Sequence, residues 1–213
     1  MKETYLYNND RPICSSSYIW EALIKILSKH DVSHKKIFEI GCGNGATANM
    51  LDQLGYDVTG VDTSISGTEI ASKSFPHLKL FQGSAYDDLA KKYDKFPIVM
   101  SLEVIEHLYY PRKFANNFYS LLEDGGMGVI STPYHGYLKN LALALTGKMD
   151  THFSPLWDGG HIKFWSVQTL KSLLSEAGFE DISFVRVGRI PLLAKSMIAV
   201  VYKTHHDRVS YFA

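Results

Sequence analysis

The chain has 213 residues, 46% of them apolar and 21% charged, and its 22 basic and 22 acidic side chains leave a formal net charge of zero. That is apolar material for one sizeable core in a single domain, and it leaves no net field to gather a polyanion such as nucleic acid. Two cysteines, Cys14 and Cys42, at a spacing that fits neither a zinc nor a disulfide framework make a reducing cytoplasm the default, while the polar opening MKETYLYNNDRP has no signal-peptide core and no apolar run approaches the roughly 18 residues of a membrane span.

In chain order, SSSYIWEALIKILSKH opens with serines suited to capping and sets Ile19, Leu23, Ile26 and Leu27 at helical spacing. It predicts a helical cap over residues 1–35. From Lys36 the pattern becomes a buried strand (KIFEI), a glycine-rich turn and a helix ending near Gly55, then a strand ending in an acid (DVTGVD) and the helix GTEIASKSF. LKLFQ is a third strand and FPIVM a fourth. PRKFANNFYSLLEDGG is a helix with Pro at its start and glycines after its end. MGVISTP is a fifth strand, SVQTLKSLLSEAGF a Ser-capped helix, and EDISFVRVG and SMIAVVYK are two closing β runs.

Alternating strands and helices predict an α/β fold: a doubly wound, mostly parallel seven-stranded sheet covered on both faces. The last two strands lack a helix between them and form an antiparallel terminal hairpin. Residues 134–163 make too long a connection after the fifth strand and read as a substrate-lid insertion. The tail 204–213 carries no pattern and receives no role.

EIGCGNGA places Gly41, Gly43 and Gly45 in the turn from first strand to first helix, where bare backbone lets a ligand approach helix N–H groups. The run also meets a relaxed dinucleotide pattern through Ala46, and a ligand-free tight turn explains the same glycines. Asp62 ends the second strand, where an acid can take both hydroxyls of a ribose, or can merely cap the next helix. In register, the two features favour a nucleoside ligand.

The runs Glu39-Ile40-Gly41-Cys42-Gly43-Asn44-Gly45, Val61-Asp62-Thr63, Gly83-Ser84-Ala85-Tyr86, Ser101-Leu102-Glu103 and Leu122-Glu123-Asp124-Gly125-Gly126 occur in that order. From about Lys36 to Lys203 the chain resembles the class I S-adenosylmethionine-dependent methyltransferases. The resemblance implies that the glycines approach the amino-acid part of that cofactor, that Asp62 binds its ribose, and that Ser84 and Ala85 flank its adenine. Glu39, Thr63, Ser101 and Leu102 join the implied cofactor-binding set. Many members carry Asp where this chain has Ser84, which leaves the adenine amine to Asp87 or a backbone carbonyl. Cys42 is a small loop residue with no catalytic thiol role. A dehydrogenase would need a second domain for which this chain has no room.

SLEVIEHL, Ser101 to Leu108, follows the fourth strand and spaces Glu103, Glu106 and His107 at i, i+3 and i+4, one face of an expected helix. Such a face can hold a divalent cation such as magnesium, or let His107 act as general base with its pKa tuned by the carboxylates. It can also be an ordinary solvated first turn. The run is similar to the Glu-x-x-Glu-His of ubiquinone-biosynthesis catechol O-methyltransferases and of small-RNA 3′-terminal 2′-O-methyltransferases. Both add a later histidine before a Lys-Phe pair, as His161 precedes Lys163-Phe164 here. That resemblance implies Glu103, Glu106, His107 and His161 as metal ligands, with His107, Glu106 and Glu103 as the catalytic set.

In the insertion, Leu138, Leu141, Ala142 and Leu145 lie at helical spacing, as a lid, a lipid-touching face or a stripe packed on the core. His135, His152, Asp158 and His161 are candidate acceptor contacts. The expected reaction is methyl transfer to a hydroxyl of a small metabolite, with a lipid-like substrate among the options. A non-catalytic cofactor-binding module, or an RNA 2′-O-methyltransferase, are the alternatives.

Overall fold

The computed structural model describes residues 5–29 and 35–204. Its centre is a seven-stranded sheet in the order β3-β2-β1-β4-β5-β7-β6. The strands are β1 (Lys36–Ile40), β2 (Asp57–Asp62), β3 (Lys79–Gln82), β4 (Phe96–Leu102), β5 (Leu122–Pro133), β6 (Asp181–Val187) and β7 (Ser196–Tyr202). Strands β1 to β5 pair in parallel. β7 runs antiparallel to both β5 and β6, so the second strand of the terminal hairpin is interior and the first is the edge. Burial agrees: Ser196 to Val201 are all buried, whereas β6 alternates between exposed and half-buried positions from Asp181 to Val185 and is buried only at Val187.

Successive side chains of a strand face opposite sides, and here each side has its own core. Phe38, Val99, Ile130 and Ala199 join one cluster, which includes Phe114 and Phe118 of α5 (Pro111–Leu121) and Leu170, Leu173 and Leu174 of α8 (Val167–Glu176). Their neighbours Ile37, Ile98, Met100, Val129 and Ile198 join the other, against Leu23 of α1 (Ser16–Leu27) and Leu51 of α2 (Ala46–Gln53). Helices α3 (Ile65–Ser74) and α4 (Leu89–Tyr93) complete the alternation.

The caps follow local chemistry unevenly. Ser64 and Ser166 each accept a backbone N–H as expected of a helix N-cap, and Ser166 with Thr169 closes a capping box. The serines before α1 do not behave as the sequence suggests: Ser15 at the N-cap makes no side-chain capping bond among the described residues.

SLEVIEHL is not an α-helix. β4 runs on to Leu102, Glu103 takes a left-handed φ of 56°, and only Ile105–His107 forms a turn of 3₁₀ helix. The expected common face of Glu103, Glu106 and His107 therefore does not exist. A left-handed residue reverses the chain direction, and an L side chain tolerates this only where its surroundings hold it.

The insertion forms α6 (Tyr137–Leu145) and α7 (Met149–Phe153). Its two ends are stitched together by a bridge between Tyr134 and Trp165 and by the His135 N–H donated to the Trp165 carbonyl. α6 buries no residue: Leu138, Leu141 and Leu145 are 47%, 41% and 79% exposed, so the core-packing expectation for this stripe fails. Among the described residues, no helix is long and apolar enough to cross a membrane.

Candidate functional site

The strand order reverses between β1 and β4, and ligands of open α/β sheets bind beyond the carboxyl ends of strands at such a point. The glycine turn after β1 and the 3₁₀ turn after β4 are neighbours there. Gly41, Gly43 and Gly45 all have positive φ, at 87°, 51° and 81°. A Cβ on Gly41 would strike Val104, and one on Gly43 would strike the Tyr7 hydroxyl, each at 2.3 Å. The glycines therefore admit close protein neighbours as well as a tight turn.

The turn's own N–H groups are largely engaged. Gly41 and Cys42 donate to the Val61 carbonyl, Gly43 to Asp62 Oδ2 at 2.8 Å, Gly45 to the Cys42 carbonyl, and Ala46 to Asn44 Oδ1. A dinucleotide pyrophosphate needs such groups free, so the pattern suits a nucleoside ligand without a bridging phosphate. Asp62 also accepts the Ser64 N–H at 2.7 Å, so its carboxylate is positioned at the turn from both sides.

The other residues expected around the cofactor line the same edge with differing roles. Glu39 is buried, with Oε2 unpartnered among the described residues, and burial followed by the Asp62 charge pushes its pKa up to about 8. Thr63 is exposed beyond Asp62. Ser84 shapes its own loop, its hydroxyl accepting the Tyr86 N–H and its N–H donating to Asp87 Oδ2, while Asn117 ties down the Ala85 and Asp87 carbonyls. Asp87 is thus engaged by the loop it was expected to serve from. The Ser101 hydroxyl is buried and donates to the Ile40 carbonyl, so this side chain joins β4 to β1, and half-buried Leu102 ends the strand beside it.

Across the edge, Glu106 is buried at 1% exposure. Its Oε2 accepts from the Thr132 hydroxyl at 3.0 Å, and its Oε1 has no hydrogen-bond partner among the described residues. The Glu106 carbonyl accepts the N–H groups of Ile162 and Lys163, and this stitch brings the returning arm of the insertion onto the 3₁₀ turn. His161 Nε2 thereby lies 3.9 Å from Glu106 Oε1, and its ring centroid is 4.9 Å from that of His107. One ligand atom each from Glu106, His107 and His161 lies within 4.8 Å of the others.

Glu103 stands apart from that group, correcting the four-ligand expectation. With its left-handed backbone it turns its carboxylate to the Ser131 hydroxyl at 2.9 Å and the Ser196 hydroxyl at 3.3 Å, while its N–H bonds Ser131. Burial raises its pKa to about 7 against the opposing pull of those hydroxyls, and burial with the Glu103 charge raises Glu106 well above the carboxylate range. His107 Nδ1 lies 2.8 Å from the Gly159 carbonyl and 3.2 Å from that of Gly160. Carbonyls only accept, so Nδ1 is the donor and Nε2 is the ring nitrogen left for a ligand. Burial, then the nearby His107 and His152, lower His161 to about 4, so it is neutral at pH 7.

His135 is buried against Phe153 and Phe164, and His152 packs on its ring, so two of the candidate acceptor contacts share one wall of the insertion. Asp158 is exposed. Tyr5 and Tyr7, in a polar N-terminal stretch without periodicity, gave no signal in the sequence. Here Tyr7 lies on Gly43 and Gly67, and the Tyr5 ring contacts both His107 and Trp157.

A family model described as a methyltransferase domain matches residues 8–183. The chain is 27% identical over 151 residues to a ubiquinone biosynthesis O-methyltransferase of Cereibacter sphaeroides, covering 69% of this chain and 61% of that protein. It is 29% identical over 169 residues to the protein of that name from Bartonella quintana, covering 75% and 68%. The chain thus spans about three fifths to two thirds of the length of these relatives. In fold it is similar to the magnesium protoporphyrin IX methyltransferase of Synechocystis, solved with S-adenosylhomocysteine bound, at a TM-score of 0.66 and 15% identity over 87% of this chain and 82% of the other.

Proposed function

The chain belongs to this methyltransferase-domain family, of the class I S-adenosylmethionine-dependent kind, and from that premise we propose that it transfers a methyl group from S-adenosylmethionine to a hydroxyl of a small acceptor. Quinone precursors, phenols and glycans are the classes that suit it. The observation that carries the reading is the meeting of His107, His161 and the unpartnered Glu106 Oε1 beside the glycine turn. The names of the relatives support the hydroxyl acceptor.

A methyl on a sulfonium is already electrophilic, so the protein's work is to align the acceptor oxygen and remove its proton. As the new C–O bond forms, the C–S bond breaks with its electron pair kept by sulfur. The hydroxyl proton goes to His107 Nε2, whose lone pair the Nδ1 contact with the Gly159 carbonyl orients. Trp157 packs edge-on against that imidazole, with ring centroids 5.8 Å apart.

The same three side chains fit a divalent cation. Glu106 Oε1 lacks a hydrogen-bond partner among the described residues, His161 is lowered to about 4 and so is neutral at pH 7, the His107 Nδ1 contact with the Gly159 carbonyl leaves Nε2 as the ring's ligand atom, and two buried carboxyl groups near each other resist ionising without a positive charge. Glu106, His107 and His161 would hold the ion, which would acidify a bound hydroxyl in place of the imidazole base. Two imidazoles and one carboxylate suit manganese, iron or zinc better than magnesium.

Calorimetry with S-adenosylhomocysteine and turnover on a panel of catechols, simple phenols and glycosides test the reading. Binding with turnover is expected, and absence of binding would overturn it. Binding without turnover on any hydroxyl substrate would favour the cofactor-binding module. Activity lost with chelator and restored by manganese or zinc selects the metal route. Activity indifferent to chelation but lost in His107→Ala selects the imidazole base.

A further inference from the structure

Residues Tyr5 to Arg11 precede the matched strands and run as a strap across the carboxyl edge of the sheet. The Asn44 side-chain amide donates to the Asn9 carbonyl at 2.8 Å and to the Arg11 carbonyl at 2.9 Å. Tyr7 N–H donates to Ser66 Oγ at 3.0 Å, and Ser64 Oγ donates to the Tyr5 carbonyl at 2.9 Å. The strap is therefore fastened to both turns of the donor pocket, after β1 and after β2. A Cβ on Gly67 would lie 2.9 Å from the Tyr7 ring and one on Gly43 closer still, so those two glycines leave the space that Tyr7 fills. The Tyr5 ring packs 4.7 Å from that of Tyr7. On its other side it meets His107 and Trp157 edge-on, with centroids 6.4 and 6.0 Å away.

Two side chains of one segment thus touch the donor turn and the acceptor wall together. We propose that this strap is a working part of the site, with Tyr7 roofing the methyl donor at the glycine turn and Tyr5 positioning His107 and Trp157, so that a bound donor completes the acceptor pocket. The proposal rests on the donor reading above. A donor that favours the closed strap must, by reciprocity, be favoured by whatever closes it from the acceptor side. Tyr5 and Tyr7 are binding and positioning residues in this scheme; the methyl and the proton move as already described.

Asn44→Asp keeps the oxygen that caps Ala46 N–H and removes both donors to the strap. Stopped-flow displacement should show S-adenosylhomocysteine leaving this variant about tenfold faster, the loss expected for two hydrogen bonds. Tyr7→Ala is the second variant, with the same expected direction, should Asn44→Asp fold poorly. In hydrogen exchange, S-adenosylhomocysteine should protect residues 149–165 of the wild type, and Tyr5→Ala should abolish that protection. Dissociation within twofold of wild type in both donor-side variants, or protection of 149–165 persisting in Tyr5→Ala, overturns the strap's role while leaving the donor reading intact. Failure of the wild type to bind S-adenosylhomocysteine overturns both.

Discussion

Glu39 and Glu106 are buried carboxyl groups, each with an oxygen lacking a hydrogen-bond partner among the described residues, and the proton is their nearest remedy. For Glu39 the ordinary value of 4.5 rises to about 8 in the fold. Between those two pH values the folded form keeps a proton that the unfolded chain has released, so stability falls as pH rises through this window. Glu39→Gln should therefore gain thermal stability over wild type as pH goes from 4.5 to 8, with the two alike at the acid end. A gap between the midpoints that does not widen with pH would refute this. His135 and His161, each lowered to about 4 chiefly by burial, act with the opposite sign below pH 6.5, so the variant comparison is needed to isolate Glu39. Thr132 holds Glu106 Oε2, and Thr132→Val should cost about 1 to 3 kcal/mol in denaturant unfolding with a fall in turnover, both recovered in Thr132→Ser. Asp62 was legible from its place at a strand end, and Glu39 only from the family resemblance. The partners Thr132, Ser131 and Ser196 were not, because a Ser or Thr in a strand carries no periodic sign of what it faces.

Where apolar spacing is backed by burial, the sequence reading of an element holds. α8 has Leu170, Leu173 and Leu174 on one buried face, with a Ser cap before them and Gly178 after. α6 has the same kind of spacing and no buried face, because periodicity records which side chains share a side and not whether anything covers them. The two helices should respond oppositely. Leu174→Ala should lose about 2 to 5 kcal/mol in chemical denaturation, whereas Leu145→Ser should stay within about 0.5 kcal/mol of wild type. A loss above about 1.5 kcal/mol for Leu145→Ser would mean that α6 packs more closely than described. SLEVIEHL misled at this scale too. Its carboxylate spacing fits a helix, but pairing of β4 with β5 continues through Leu102 and Ser131, and the chain then needs an abrupt turn at Glu103. Tertiary pairing outweighed local propensity there.

In the whole molecule, the proposed donor pocket would draw on β1, β2 and the strap, so a bound donor should stabilise the fold globally. At an S-adenosylhomocysteine concentration 100 times its Kd the gain is about 2.7 kcal/mol. For a chain of this size that is a rise of roughly 5 to 11 °C in the calorimetric midpoint. The absence of any rise would contradict donor binding to the native state. The alternation of strands and helices, the glycine turn and Asp62 were set by the sequence alone, because strand alternation, helical spacing and turn glycines are local requirements of backbone geometry. Those features suffice for the α/β class, and in register they favour a nucleoside ligand. The placement of β7 inside the sheet, the return of His161 to Glu106, the departure of Glu103 and the fastening of Tyr5 to His107 and Trp157 were decided only in three dimensions. Each joins segments distant along the chain, and their meeting depends on the path of the connections and on which buried polar atoms they must satisfy, neither of which leaves a period in the sequence.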